Sequence, residues 1–348
     1  MNTKMIKIDR DNPDFQILEQ AAAIIRQGGL VAFPTETVYG LGANGLDSRA
    51  VAGIYAAKGR PSDNPLILHI AEPASLAKLA AVIPESAARL TEAFWPGPLT
   101  VIVKRSPIVP DCITGGLATV AVRLPSLRAA RDLIRLAGVP IAAPSANTSG
   151  RPSPTNAEAV AADLNGRVDM ILDGGPCEVG VESTVVDCTT PVPTLLRPGG
   201  ITLEQLSEVL GAVEVDPALA GDSVIPRAPG MKYKHYAPKA PLQLVEAPFP
   251  AGVEILRREV GQALRAGRKV GVIVSAETAG VIDPRAIISV YGSRGDKAEI
   301  AARLYDALLR FDREAVDIIF AEGIDEAGLG LAVMNRLRKA AGYQILTC

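Results

Sequence analysis

The chain has 348 residues, 48% apolar and 21% charged, with a formal net charge of −2. That length accommodates two domains with substantial cores, the apolar share excludes a disordered chain, and the charge balance gives no global attraction to nucleic acid. Cys112, Cys177, Cys188 and Cys348 lie far apart without a C-x-x-C pair, and the only histidines are His69 and His235, which argues against a zinc site or a disulfide framework and for a reducing cytoplasm.

The opening residues lack the basic-then-apolar pattern of a leader, and no apolar run approaches membrane-spanning length, so a cytoplasmic protein is expected. Helical spacing of Ile17, Leu18, Ala21 and Ile25 predicts a first helix over 14–27. A short apolar run over 30–33, bounded by Gly28-Gly29 and Pro34, reads as a buried strand. Thr35 to Tyr39 and the glycines Gly40, Gly42 and Gly45 follow, a stretch expected to offer hydroxyls and bare amides to a ligand. Residues 40–45 match G-x-G-x-x-G, but the segment from Pro34 to Tyr39 separates them from the strand they should directly follow, which speaks against a dinucleotide site. Asp47 or Ser48 can cap a helix that ends at Lys58-Gly59, and a second strand over 66–70 carries His69. Cations in a helix's last turn usually serve its dipole alone. Here the surrounding polar turns make Lys58 and Arg60 candidates for phosphate binding.

Helices over 74–81 and 85–94 precede the break Trp95-Pro96-Gly97-Pro98 and a strand over 99–103. A strand over 119–125 carries Arg123, a helix over 129–137 follows, and the strand at 141–143 runs into a polar cluster from Ser145 to Thr155. Thr155 with Glu158 reads as a capping box for a helix over 157–164, which leaves Ser145 and Asn147 as ligand candidates at a strand end. Strands at 170–172 and 185–186 and a helix opened by Thr202 and Gln205 complete the first domain, taken as 1–211. The segment 212–240 is a linker whose stretch from Arg227 to Lys239 has four cations and no acids. Strands over 242–245, 270–274, 287–290 and 318–321 alternate with helices over 255–266, 296–310 and 331–339. That alternation predicts a second, smaller parallel sheet with flanking helices over 241–348.

Ordered blocks carry a family resemblance: 33–42 (FPTETVYGLG), 58–61 (KGRP), 64–66 (NPL), 95–100 (WPGPLT), 122–125 (VRLP), 144–147 (PSAN), 182–184 (EST), 196–199 (LRPG) and the linker stretch 229–238. On these the chain resembles the YrdC/Sua-type family, the L-threonylcarbamoyladenylate synthases, in their long form. The resemblance implies an α/β fold with a YrdC-like twisted sheet and flanking helices, plus a smaller Rossmann-like C-terminal domain. It implies a nucleotidyltransferase that makes L-threonylcarbamoyl-AMP and pyrophosphate from L-threonine, bicarbonate or carbon dioxide, and ATP. The product would pass to a separate transferase acting on adenosine 37 of tRNAs that read codons beginning with A. By the family match Lys58 and Arg60 are catalytic. Thr37, His69, Arg123, Ala143 and Ser183 hold threonine. Lys58, Arg60, Asn64, Thr119, Ser145, Ser153, Arg197 and Tyr236 contact ATP. Mg²⁺ is expected on the triphosphate rather than in a protein-built site, and the linker is expected to close over the nucleotide. The alternative is an RNA-binding module without adenylation activity; weak RNA binding alongside catalysis is also admitted.

Overall fold

The computed structural model describes residues 2–220 and 235–347. The linker stretch from Arg227 to Lys234, and with it most of the expected lid, lies outside the described residues. The described chain divides into two units: 2–149 with 153–178 and 182–220, and 235–347 with 150–152 and 179–181.

The first unit is built on strands β1 (Lys4–Lys7), β2 (Val31–Phe33), β3 (Gly40–Asn44), β4 (Ile67–His69), β5 (Ala80–Val82), β6 (Leu99–Arg105), β7 (Thr119–Arg123), β8 (Ile141–Ala142), β9 (Met170–Asp173), β10 (Thr184–Asp187), β11 (Thr194–Arg197) and β12 (Glu214–Val215). They form one mixed sheet in the order β1-β9-β2-β3-β8-β4-β7-β6-β10-β11-β12, with β5 paired on β6. The helix Phe15–Arg26 starts where expected because Asp14 accepts the amides of Gln16 and Ile17. With the helix Arg128–Ala137 it buries Leu18, Ile25, Leu133 and Ile134 against Val31, Phe33, Ile141 and Met170, the apolar stripe that its spacing announced.

Three expectations are corrected. The glycine stretch is a strand, β3, antiparallel to β2 and to β8, so its amides belong to the sheet rather than to a ligand-facing loop. A Cβ on Gly42 would lie 2.8 Å from the Phe33 ring and 2.9 Å from Ile141; the glycine lets that ring lie down on the strand. The helix expected over 74–81 is a single turn, Leu76–Leu79, after which β5 pairs with β6, because an edge-strand partner competes with a short helix. Asn156, not Thr155, caps the helix Ala157–Leu164, while Thr202 and Gln205 do form their capping box.

The second unit has β13 (Leu242–Val245), β14 (Val270–Ser275), β15 (Ile287–Gly292), β16 (Ile318–Glu322) and β17 (Ile345–Leu346). These form an all-parallel sheet in the order β15-β14-β16-β13-β17. Its helices Ala251–Arg265, Lys297–Glu314 and Gly330–Ala340 follow β13, β15 and β16, as crossover connections between parallel strands require. Leu256 and Val260 of the first of these helices pack with Val272, Val274 and Phe320 of the sheet to form its core.

Candidate active site

The helix Ser48–Lys58 is held at both ends: Asp47 accepts the amides of Arg49 and Ala50, and Gly59 takes a left-handed turn at φ 60°. This fixed end delivers Lys58 into the interior, where Nζ donates to the carbonyls of Ser145 and Asn147 and reaches Asn147 Oδ1 at 3.5 Å. Burial, then the neighbouring charge of Arg60, pushes the Lys58 pKa well below the usual lysine value. Ser145 Oγ donates to Asn147 Oδ1 at 2.5 Å, so the polar cluster after β8 is knitted to the helix end. Beside it Arg60 donates to the carbonyl of Pro65 at 3.1 Å, and Asn64 is buried with Oδ1 lacking a hydrogen-bond partner among the described residues.

Sheet register builds the second part of the site. His69 pairs with Arg123, and Arg123 with Thr100; facing residues on paired strands share one side of the sheet. Ile67, Ala121 and Ile102, each two residues away along those strands, share that side and pack with Val185 and Leu196. The same face is thus apolar along one band and polar along the next. Thr100 Oγ1 lies 2.7 Å from Ser183 Oγ. Arg197 reaches from β11 to donate to the Ser183 carbonyl through Nε and Nη2 at 3.0 and 2.9 Å and to its hydroxyl at 3.1 Å. The rings of His69 and Phe33 meet at right angles, their centres 6.4 Å apart at 89°. Burial, then the Arg123 charge, lowers the His69 pKa to about 3, so its ring is neutral at physiological pH.

Thr37 is buried, its hydroxyl 2.8 Å from Thr35 Oγ1. Ala143 continues β8 past its pairing, donating its amide to the Ile67 carbonyl at 3.0 Å. Ser153 Oγ donates to Glu182 at 2.5 Å. Thr119 opens β7, so strand rise separates it from Arg123 by about 13 Å along one face. The first unit therefore brings together His69, Arg123 and Ser183, and separately Lys58, Arg60, Asn64 and Ser145, while Thr37 is tied to Thr35. Tyr236 belongs to the second unit, where its ring packs 5.4 Å from that of Tyr305.

Sequence reading missed Thr100 and, more consequentially, Glu36. The Glu36 carboxylate accepts from Arg123 Nη2 at 2.7 Å, both side chains 5% exposed. An acid set between buried threonines just after a strand was the available signal, but only the fold shows that its partner arrives from β7.

A family model described as telomere recombination matches residues 23–199, and one described as the C-terminal domain of threonylcarbamoyl-AMP synthase matches 201–342. The threonylcarbamoyl-AMP synthase of Pyrococcus abyssi is 53% identical over 328 residues, and that of Bacillus subtilis 52% over 333, each match covering 94% of both chains. A crystal structure of P. abyssi Sua5 complexed with L-threonine is 50% identical and superposes with a TM-score of 0.94 over 99% of this chain and all of its own. An α/β sheet carrying a buried His-Arg-Thr-Ser row, joined to a parallel-sheet unit and matched along nearly its whole length, places this chain in the threonylcarbamoyl-AMP synthase family.

Proposed function

We propose that the chain joins L-threonine, carbon dioxide or bicarbonate, and ATP into L-threonylcarbamoyl-AMP, releasing pyrophosphate, a nucleotidyl transfer. The observation that carries this reading is the polar band of His69, Arg123, Thr100 and Ser183 on one sheet face. A neutral buried imidazole and hydroxyls suit an alcohol side chain, and a guanidinium suits a carboxylate. Thr37 and Ala143 complete the amino-acid end. Once the amine has become a carbamate, its carboxylate attacks the α-phosphate while pyrophosphate leaves, chemistry that depends on positioning and on neutralising charge. Lys58 and Arg60 supply cations for that step, and Asn64, Thr119, Ser145, Ser153, Arg197 and Tyr236 are the proposed nucleotide contacts.

Mg²⁺ enters as part of the substrate, on the triphosphate of ATP. A hard cation of this kind prefers the oxygen ligands that substrate phosphates offer. A transferase that modifies tRNA would consume the product. The RNA-binding alternative is not favoured, since relatives matching 94% of the chain are named synthases. Among the described residues no helix is long and apolar enough to cross a membrane. The test is pyrophosphate release from Mg·ATP and bicarbonate. Release that requires L-threonine supports the reading, and release indifferent to it overturns the reading.

A further inference from the structure

We propose that Glu36 is the binding residue for the α-ammonium group of the amino-acid substrate; this rests on the reading above. A buried ion pair is tolerated when its remaining lone pairs and protons are also matched, and here they are not. Glu36 and Arg123 share one hydrogen bond of 2.7 Å in a 5% exposed setting. Among the described residues Glu36 Oε2 and Arg123 Nε have no hydrogen-bond partner. An unfilled acceptor on the acid and an unfilled donor on the base each carry a desolvation cost.

An α-amino acid zwitterion is the complement of that pair. Its carboxylate can take the free Arg123 donor, and its ammonium the free Glu36 acceptor, leaving the existing bond intact. The surroundings require such an anion. Arg123 and Arg197 both act on His69 to disfavour its protonation, and a further ammonium entering beside them is repelled unless a carboxylate faces it. His69 stays neutral and cannot compete for Glu36. The rest of the band, Thr100 and Ser183, carries hydroxyls and no charge. Glu182 is engaged by Ser153. Held on Glu36, the nitrogen is fixed in place before it is converted to the carbamate.

The test is calorimetric titration of the full chain with L-threonine and with its 2-hydroxy analogue, which keeps the carboxylate and side chain but lacks the ammonium. The unsubstituted chain is expected to prefer L-threonine by about tenfold or more, the worth of a charge-assisted bond. Glu36→Gln is expected to weaken L-threonine by about tenfold or more while changing the analogue by less than about threefold. The preference then collapses, with ATP affinity unchanged. Glu36→Asp, which keeps the charge, is expected to retain the preference, and it decides the matter if Glu36→Gln does not fold. Loss of both ligands in equal measure in Glu36→Gln, or an unaltered preference, makes Glu36 only the counter-ion of Arg123 and overturns the inference alone. Failure of the unsubstituted chain to bind L-threonine overturns the functional reading and this inference together.

Discussion

At His69 the environment sets the charge state, and this makes a pH prediction. Its folded pKa of about 3 lies below the ordinary histidine value of 6.5, so as pH falls through 6.5 the unfolded chain takes up a proton that the folded chain refuses. Stability is therefore full above 6.5 and is lost toward 3. The linkage slope gives a loss of roughly 2 kcal/mol between pH 6.5 and pH 5 from this one group. Urea melts at those pH values should show a smaller loss in His69→Gln than in the parent, and equal losses would mean the ring is not buried neutral. Lys58 and Arg60 separate in the same way. Lys58 satisfies the carbonyls of Ser145 and Asn147, so Lys58→Ala should lower stability by about 2 kcal/mol or more as well as turnover, because it leaves buried acceptors unmet. Arg60, half-buried, should lose about 2 to 4 kcal/mol of transition-state stabilisation on replacement by Ala with little change in melting. Paired turnover and thermal melts read both, and a K58A protein as stable as its parent would remove the tether that the hydrogen bonds describe.

At the scale of elements, β3 shows how a strand beside the site shapes it, its Gly40 bridging Ser145. Its glycines let the Phe33 ring lie over the strand, perpendicular to the ring of His69. Gly42→Ala should therefore cost about 1 to 3 kcal/mol by overpacking and raise KM for threonine more than KM for ATP. An unchanged threonine KM in a destabilised protein would confine Phe33 to packing. The capping of the helix Ser48–Lys58 was legible in Asp47 and Gly59, since a cap is a local hydrogen bond between near neighbours. The short strand β5 and the pairing of β3 were not, because an edge or a glycine-rich strand is chosen by its partner rather than by its own propensity.

Across the whole molecule, two short stretches that lie between segments of the first unit, 150–152 and 179–181, group with the second unit. There Gly180 sits at φ +73°, and an added Cβ would lie 2.3 Å from Ala302 Cα. Gly180→Ala should cost more than about 1 kcal/mol, from the disfavoured φ together with a clash against backbone that cannot rotate away. Denaturant melts measure it, and a neutral result would mean that this close approach is not kept in solution. Arg151, in the first of these stretches, likewise pairs with Asp312 at 2.9 Å. What the sequence determined by itself is what local physics controls. Apolar spacing set most helices and strands of both units, caps set their ends, and ordered polar blocks named the family and most candidate residues. Tertiary structure decided what depends on partners distant in sequence: the register that sets His69 beside Arg123 and Thr100, the glycines that serve a ring rather than a phosphate, and the Glu36–Arg123 pair. Those contacts join residues up to 87 positions apart, and a one-residue change of register would turn the same side chains to the opposite face.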